Sequence, residues 1–199
     1  MTTTTTTTTA TQEEFEGPRY RTVENWYGIV PFSDGPIKYL EIGVFYGSNI
    51  ISFALSEYGK HSESELHAID PWIDYSDYSE YKGQQDMIYN TYKKNIHQFG
   101  LHDRINEHRG FSADELLKLE DESFDMIYID GNHEPEYVLQ DAVLSFRKLK
   151  QGGYLIFDDY GWGECTLGIN AFLSAYKKCY TMIHANHNTQ VFLRKDKNV

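Results

Sequence analysis

The sequence predicts an α/β fold: a doubly wound, mostly parallel seven-stranded sheet with a C-terminal antiparallel hairpin strand. Three observations carry this. β-rich runs alternate with stretches of helical period along most of the chain, the pattern of a parallel sheet covered on both faces. Three of those runs stop at acids, namely Asp70, Asp130 and Asp158-Asp159. The last two runs are joined through Asn186-His187-Asn188, a connection short enough for a hairpin.

The elements follow in order. The turn signal Asp34-Gly35-Pro36 precedes a strand over 37–44. Ile50, Ile51, Ala54, Leu55 and Tyr58 make a helical stripe over 48–58, closed by Gly59. A strand over 65–69 runs into Asp70-Pro71-Trp72, and the tyrosine- and acid-rich stretch 73–83 then reads as a loop or lid. Helical period returns over 84–99 and stops at Gly100. A short strand spans 104–109, and Ser112-Ala113-Asp114-Glu115 opens a helix with a capping-box pattern. The apolar strand 124–129 ends at Asp130-Gly131; Pro135 suits a first helical turn, and the stripe continues over 137–149. Gly152-Gly153 reads as a turn into a buried strand over 154–157. A helix from 167 to 178 and strands near 180–184 and 190–194 complete the pattern. Ligands in such folds sit at the carboxyl ends of the strands, so the acids are expected to converge on one crevice.

The chain has 199 residues, enough for one well-packed domain, expected over 17–199. Residues 1–16, with eight threonines after Met1, read as a disordered tail lacking the apolar surface that offsets the entropy of ordering. With 40% hydrophobic residues and a mean hydropathy of -0.57, no run approaches the roughly 18 apolar residues of a membrane span. The start has neither a basic patch nor an apolar core, so no secretory signal is expected and the location reads as cytoplasmic, without a membrane partner. Cys165 and Cys179 make no disulfide framework and read as free thiols. A net charge of -12 argues against a nucleic-acid partner, because phosphate contacts need a basic face. A small-molecule substrate fits better, and a homo-oligomer is compatible with everything above.

The stretch Leu40-Glu41-Ile42-Gly43-Val44-Phe45-Tyr46-Gly47-Ser48-Asn49 is the most informative. Its glycines let a ligand approach backbone where no Cβ intrudes. The helix start behind them offers free N–H groups and partial positive charge. The spacing is Gly-x-x-x-Gly, so the dinucleotide fingerprint is not met. An acid one residue before the turn suits an ammonium-bearing ligand, which points to S-adenosylmethionine rather than NAD.

With Glu41-Ile42-Gly43-Val44-Phe45-Tyr46-Gly47 first and Asp70-Pro71-Trp72 second, the order of elements resembles the class I S-adenosylmethionine-dependent methyltransferases, which are Rossmann-like. The blocks Ile127-Tyr128-Ile129-Asp130-Gly131-Asn132-His133 and Gly152-Gly153-Tyr154-Leu155-Ile156-Phe157-Asp158-Asp159 look like the metal-dependent small-molecule O-methyltransferases of the macrocin and sugar type. The likeness covers residues 37–195. The longer N-terminal region of many sugar enzymes has no counterpart in it.

Site expectations follow, each beside its plainer alternative. Glu41, Gly43 and Gly47 form the floor for the methionine half of the cofactor, with Ser48 near its carboxylate; otherwise this is an ordinary turn with a solvated glutamate. Asp70 fits the ribose diol, since a carboxylate accepts two hydroxyl hydrogen bonds. Trp72 shields the adenine face or is a core aromatic. Gly110 and Ser112 border the adenine edge, on family position, or Ser112 is a plain N-cap. Asp130, Asp158 and Asp159 form an all-oxygen set that suits Mg²⁺; the resembled subgroup binds metal at the matching acids. Alternatively one acid caps a loop and Asp130 is solvated. His133 matches a histidine of the resembled enzymes and takes the proton from a substrate hydroxyl, or is a surface histidine at a helix entrance. Asp130 is placed in cofactor, metal and catalytic roles together. Tyr75, Tyr78 and Tyr81 form a lid over the acceptor. The other seven histidines show no ligand spacing.

The expected activity is methyl transfer from S-adenosylmethionine to a hydroxyl oxygen of a sugar, polyol or phenol, assisted by Mg²⁺. The alternatives are a catalytically silent S-adenosylmethionine-binding accessory protein and an NAD-dependent oxidoreductase.

Overall fold

The computed structural model describes residues 15–20, 22–74, 79–186 and 189–198. The tail up to residue 14 and the lid residues Tyr75 and Tyr78 lie outside the described residues.

Seven strands form one sheet: β1 (Lys38–Ile42), β2 (Glu65–Asp70), β3 (Ile105–Arg109), β4 (Phe124–Ile129), β5 (Leu149–Phe157), β6 (Tyr180–Ala185) and β7 (Val191–Lys195). Their order is β3-β2-β1-β4-β5-β7-β6. The pairs from β3 to β5 are parallel, and β7 runs antiparallel to both β5 and β6. The helices are α1 (Ser48–Leu55), α2 (Gln85–Gln98), α3 (Ser112–Lys118), α4 (Pro135–Lys148) and α5 (Cys165–Tyr176). Among the described residues no helix is long and apolar enough to cross a membrane.

Side chains alternate across a strand, and here both faces are buried, so the central strands read as continuous apolar runs. Tyr39 of β1 and Tyr128 of β4 point to one face, with Ile50 and Phe53 of α1 and Ile88 and Tyr92 of α2. Leu40, Ile42, Ile127 and Ile129 point to the other, with Leu116 of α3, Val138 and Phe146 of α4, and Phe172 of α5. Each large apolar side chain buried this way contributes roughly 1.5–3 kcal/mol. The N-terminal segment joins the first face. Trp26, fully buried, packs against the rings of Tyr39, Phe53, Tyr58 and Tyr128. Phe15 is also buried, and Asn95 exchanges two hydrogen bonds with the backbone of Glu16.

Four local expectations are corrected. Helix α1 ends at Leu55 rather than Tyr58. Ser56 turns the chain there, its hydroxyl donating to Phe53 O at 2.8 Å and accepting from Tyr58 N–H at 3.2 Å. The Tyr58 hydroxyl, released from helical period, lies 2.8 Å from Trp26 O and 2.9 Å from Val30 O, tying down the N-terminal segment. Gly152 and Gly153 do not precede the strand; β5 runs through both, with a register shift opposite Phe124 and Met126. The glycines absorb that bulge, for a Cβ on Gly153 would lie 2.9 Å from Asp125 O. The capping box at Ser112 is absent. Phe111 precedes the helix with no side-chain cap, and the Ser112 hydroxyl donates instead to Asp141 Oδ1 at 2.5 Å. A buried carboxylate across the groove outcompetes a local N–H. Helix α5 begins at Cys165, two residues before the expected start.

Candidate active site

β1 pairs with β2 on one side and β4 on the other, so the chain changes direction between β1 and β4 and leaves a crevice at their carboxyl ends. The turns that line it are conformationally unusual. Gly43 and Gly47 have φ of 80° and 85°, and Phe45, Trp72 and Asp159 adopt φ of 53°, 44° and 56°. Side chains rarely tolerate that region, and where they do the surrounding contacts hold them there. At the first two the contacts come from Asp70. Its Oδ2 accepts the N–H groups of Val44 and Phe45, both at 2.9 Å, and its Oδ1 accepts that of Trp72 at 2.7 Å. Burial raises the Asp70 pKa and these three donors oppose the rise.

Gly43 has a different reason for being glycine than ligand approach alone. A Cβ there would fall 1.9 Å from Asp130 O and 2.7 Å from Gly131 Cα. The β1 turn is pressed directly against the β4 turn, joined one residue earlier by Asp130 N–H donating to Ile42 O at 2.9 Å.

Beside these turns lies a cavity of about 240 Å³. Ile42, Ile69, Ile73, Phe111 and Tyr137 give it apolar walls, while Asp74, Ser112, Asn132 and Asp141 supply polar groups. Apolar walls with a few fixed polar groups are the usual make-up of a small-molecule cleft. Asp141 is buried, which pushes its carboxyl up to about 7 against the opposing hydrogen bond from Ser112.

On the opposite face of β1, Glu41 is only 1% exposed. Glu41 Oε2 accepts from Tyr39 OH at 2.7 Å and from Asn49 Nδ2–H at 3.0 Å. Burial outweighs both donors and holds the carboxyl at about 8. Asn49 Oδ1 accepts from the N–H and hydroxyl of Thr22, whose hydroxyl also lies 3.0 Å from Tyr128 OH. The plainer reading of Glu41, a solvated glutamate, is therefore not what the structure has. Ser48 at the start of α1 is buried, and its Oγ has no hydrogen-bond partner.

Asp130, Asp158 and Asp159 come together at the ends of β4 and β5. One carboxylate oxygen from each lies within 4.8 Å of the other two. Tyr128 OH donates to Asp158 Oδ2, and His133 Nε2 lies 3.0 Å from Asp159 Oδ2. Burial, then the charges of Asp158 and Asp159, drive the Asp130 carboxyl well above its usual range. Burial likewise raises Asp158, with Tyr128 opposing and Asp159 adding to the rise. Carboxyls this close do not all ionise unless a cation joins them. A set of three oxygen donors open to further ligands fits a hard divalent ion.

The structure thus brings Asp130, His133, Asp158 and Asp159 to one place. Glu41, Gly43, Gly47, Ser48 and Asp70 gather around the adjoining turn, and Ser112 across the cavity. Trp72 is the core aromatic of its two readings: it is 2% exposed, stacks near Tyr89 and Tyr92, and donates to Phe45 O. Asp141, Tyr128, Asn49 and Thr22 went unnoticed in the sequence. Two of them carried a signal: Tyr128 is two residues before Asp130 on one strand, hence on the same face, and Asp141 interrupts the apolar face of α4.

A family profile described as "Methyltransferase domain" matches residues 40–160. An uncharacterized protein of Acanthamoeba polyphaga mimivirus is 31% identical over 134 residues, 65% of this chain. The match spans 54% of that relative, about half its length. Among solved structures, the O-methyltransferase NovP superposes with a TM-score of 0.65 at 18% identity, over 88% of this chain and 76% of that one. An O-methyltransferase from Bacillus cereus in complex with SAH gives 0.54 at 18% identity, over 79% and 74%. At these identities the likeness to both structures is one of fold.

Proposed function

Because the chain belongs to the methyltransferase domain family and has the Rossmann-like fold of its S-adenosylmethionine-dependent members, we propose that it transfers a methyl group from S-adenosylmethionine to a hydroxyl oxygen of a small molecule. The acceptor is a sugar, polyol or phenol, held with the help of a divalent cation such as Mg²⁺. One observation carries the oxygen and metal parts of this reading: three facing carboxylates with an imidazole 3.0 Å from one of them.

The cavity between Ile73, Phe111 and Tyr137 takes the adenosine half of the donor, with Ser112 and Asp141 at its polar edge. Ser48 Oγ, buried without a partner, is placed to donate to the donor's carboxylate at the start of α1. An ammonium group over the β1 turn favours the ionised form of Glu41, which burial otherwise keeps protonated up to about pH 8. Asp70 has spent three of its roughly four acceptor sites on backbone N–H groups, so it has one left for a ribose hydroxyl. Asp74, which lines the cavity, supplies further acceptors.

Asp130, Asp158 and Asp159 would hold a divalent cation, whose charge would lower the pKa of the acceptor hydroxyl. His133 takes the departing proton, and Asp159 beside it stabilises the imidazolium. The acceptor oxygen then forms a bond to the methyl carbon as the carbon–sulfur bond of the sulfonium breaks, and S-adenosylhomocysteine leaves. Holding oxygen and methyl about 3–3.5 Å apart and in line lowers the barrier by several kcal/mol.

Calorimetry with S-adenosylmethionine tests the first step, with one donor bound per chain expected; no binding overturns the reading. Tight binding without turnover on any hydroxyl acceptor would favour an accessory role instead. On an acceptor found by screening, EDTA and Asp158→Ala should each abolish activity, and His133→Ala should lower kcat by about 100-fold or more. Activity that survives both EDTA and Asp158→Ala removes the cation from the mechanism.

A further inference from the structure

The acid cluster has a side that methyl transfer does not use. Cys165, the first residue of α5, is 2% exposed, and its sulfur lies 3.6 Å from His133 O. One donor atom from each of His133, Asp159 and Cys165 lies within 4.8 Å of the other two. All three are held by the fold. His133 meets Asp159 at 3.0 Å and the Trp162 ring edge-on at 4.6 Å between centroids. Asp159 is fixed in left-handed backbone, and Cys165 by the helix it begins.

A nitrogen, an oxygen and a sulfur make a poor cage for Mg²⁺, which prefers oxygen and sheds water reluctantly. They suit zinc and its neighbours, whose four-coordinate sites are built from these donors. With metal–ligand lengths of about 2.0–2.3 Å, donors in a tetrahedral shell stand roughly 3.3–3.8 Å apart. The donor atoms already lie within 4.8 Å of one another, near that range. Burial and the neighbouring carboxylates push the Cys165 thiol up to about 12, so its thiolate forms only as the metal displaces the proton.

We propose that His133, Asp159 and Cys165 form a binding site for a thiophilic divalent cation such as Zn²⁺, sharing Asp159 with the all-carboxylate set. On binding, the Cys165 thiol proton passes to solvent and a sulfur–metal bond forms, while the His133 ring nitrogen gives its lone pair to the ion. A soft cation seated there takes His133 out of proton transfer and competes for Asp159, so it inhibits. That inhibition rests on the methyl-transfer reading; the binding does not.

Titration of the metal-free full chain with Co²⁺, followed by absorption, tests the site. One equivalent should give a thiolate-to-cobalt charge-transfer band together with the intense visible bands of a four-coordinate ion. Excess Mg²⁺ should leave both in place and Zn²⁺ should abolish both. Cys165→Ser should lose the charge-transfer band, and Cys179→Ser should keep it. Circular dichroism of each variant separates a lost ligand from a lost fold. If Cys165→Ser does not fold, His133→Ala is the second variant and should weaken Co²⁺ binding by about tenfold or more. A weak six-coordinate spectrum in the unaltered protein, a band that survives Cys165→Ser, or displacement by Mg²⁺ would overturn the proposal. Failure of S-adenosylmethionine to bind in calorimetry overturns the methyl-transfer reading alone and leaves the cobalt spectrum as expected.

Discussion

Asp70 and the trio Asp130, Asp158 and Asp159 occupy equivalent places, each just where a parallel strand gives way to its turn, yet they are treated in opposite ways. Asp70 is surrounded by donors: three backbone N–H groups within 2.9 Å meet both of its oxygens. The trio faces itself, although Asp158 also receives the Tyr128 phenol, the Asp159 N–H and Gln190, and Asp159 meets an imidazole. A carboxylate fed by amides stabilises backbone, and its charge is already answered within the chain. Carboxylates that face one another are left short of positive charge, which is why we read the trio as a cation site. Equal residue type and equal topology therefore give a strut in one case and a socket in the other.

The largest effect should come from breaking the strut. Asp70→Ala leaves the N–H groups of Val44, Phe45 and Trp72 buried without acceptors, a loss of roughly 3 kcal/mol in urea denaturation. A loss under about 1 kcal/mol would mean that the turns hold their left-handed backbone without it. Filling the socket should act in the other direction. At a hundredfold excess over Kd, Mg²⁺ should raise stability by about 2.7 kcal/mol, with Asp158→Asn removing most of the gain. An Mg²⁺ effect that persists in the variant would place the ion elsewhere.

The third test concerns pH. Glu41 is raised from 4.5 to about 8 and Asp141 from 3.8 to about 7, so the folded chain binds these protons more tightly than the unfolded chain. Their contribution is therefore complete below about pH 4 and is lost as pH rises through 7 and 8. Glu41→Gln should flatten the fall in stability between pH 5 and 8, measured by denaturation without metal. An unchanged slope would show that Glu41 is ionised in the folded chain. Asp70 is raised by burial as well, with its three amide donors opposing the rise, so it adds to the slope in the same direction.

Much of this was legible in the sequence because it depends on local pattern. The strands are apolar runs bounded by turn residues, and the four acids stand at their ends. What distinguishes strut from socket was not legible, because it depends on which turn meets which. Two of the three donors to Asp70 lie 25 and 26 residues away in the β1 turn, and the phenol on Asp158 lies 30 residues away in β4. Glu41 was recognisable as a charge inside an apolar strand, which needs a partner. Tyr39, two residues earlier on β1, shares the face of Glu41 by spacing; that Asn49 is the other partner follows from β1 packing on α1, which spacing does not give. Ser112 misled for the same reason: its sequence neighbours fit a local cap, and a carboxylate 29 residues away claimed the hydroxyl instead.

The contact of Gly43 with the backbone of Asp130 has a mechanical consequence. Without a β-carbon between them, two loops that would otherwise flex separately are butted together, as stones are at the crown of an arch. Any movement of the acid-bearing loop, such as a cation drawing the carboxylates inward, is transmitted to the glycine loop with no slack to absorb it.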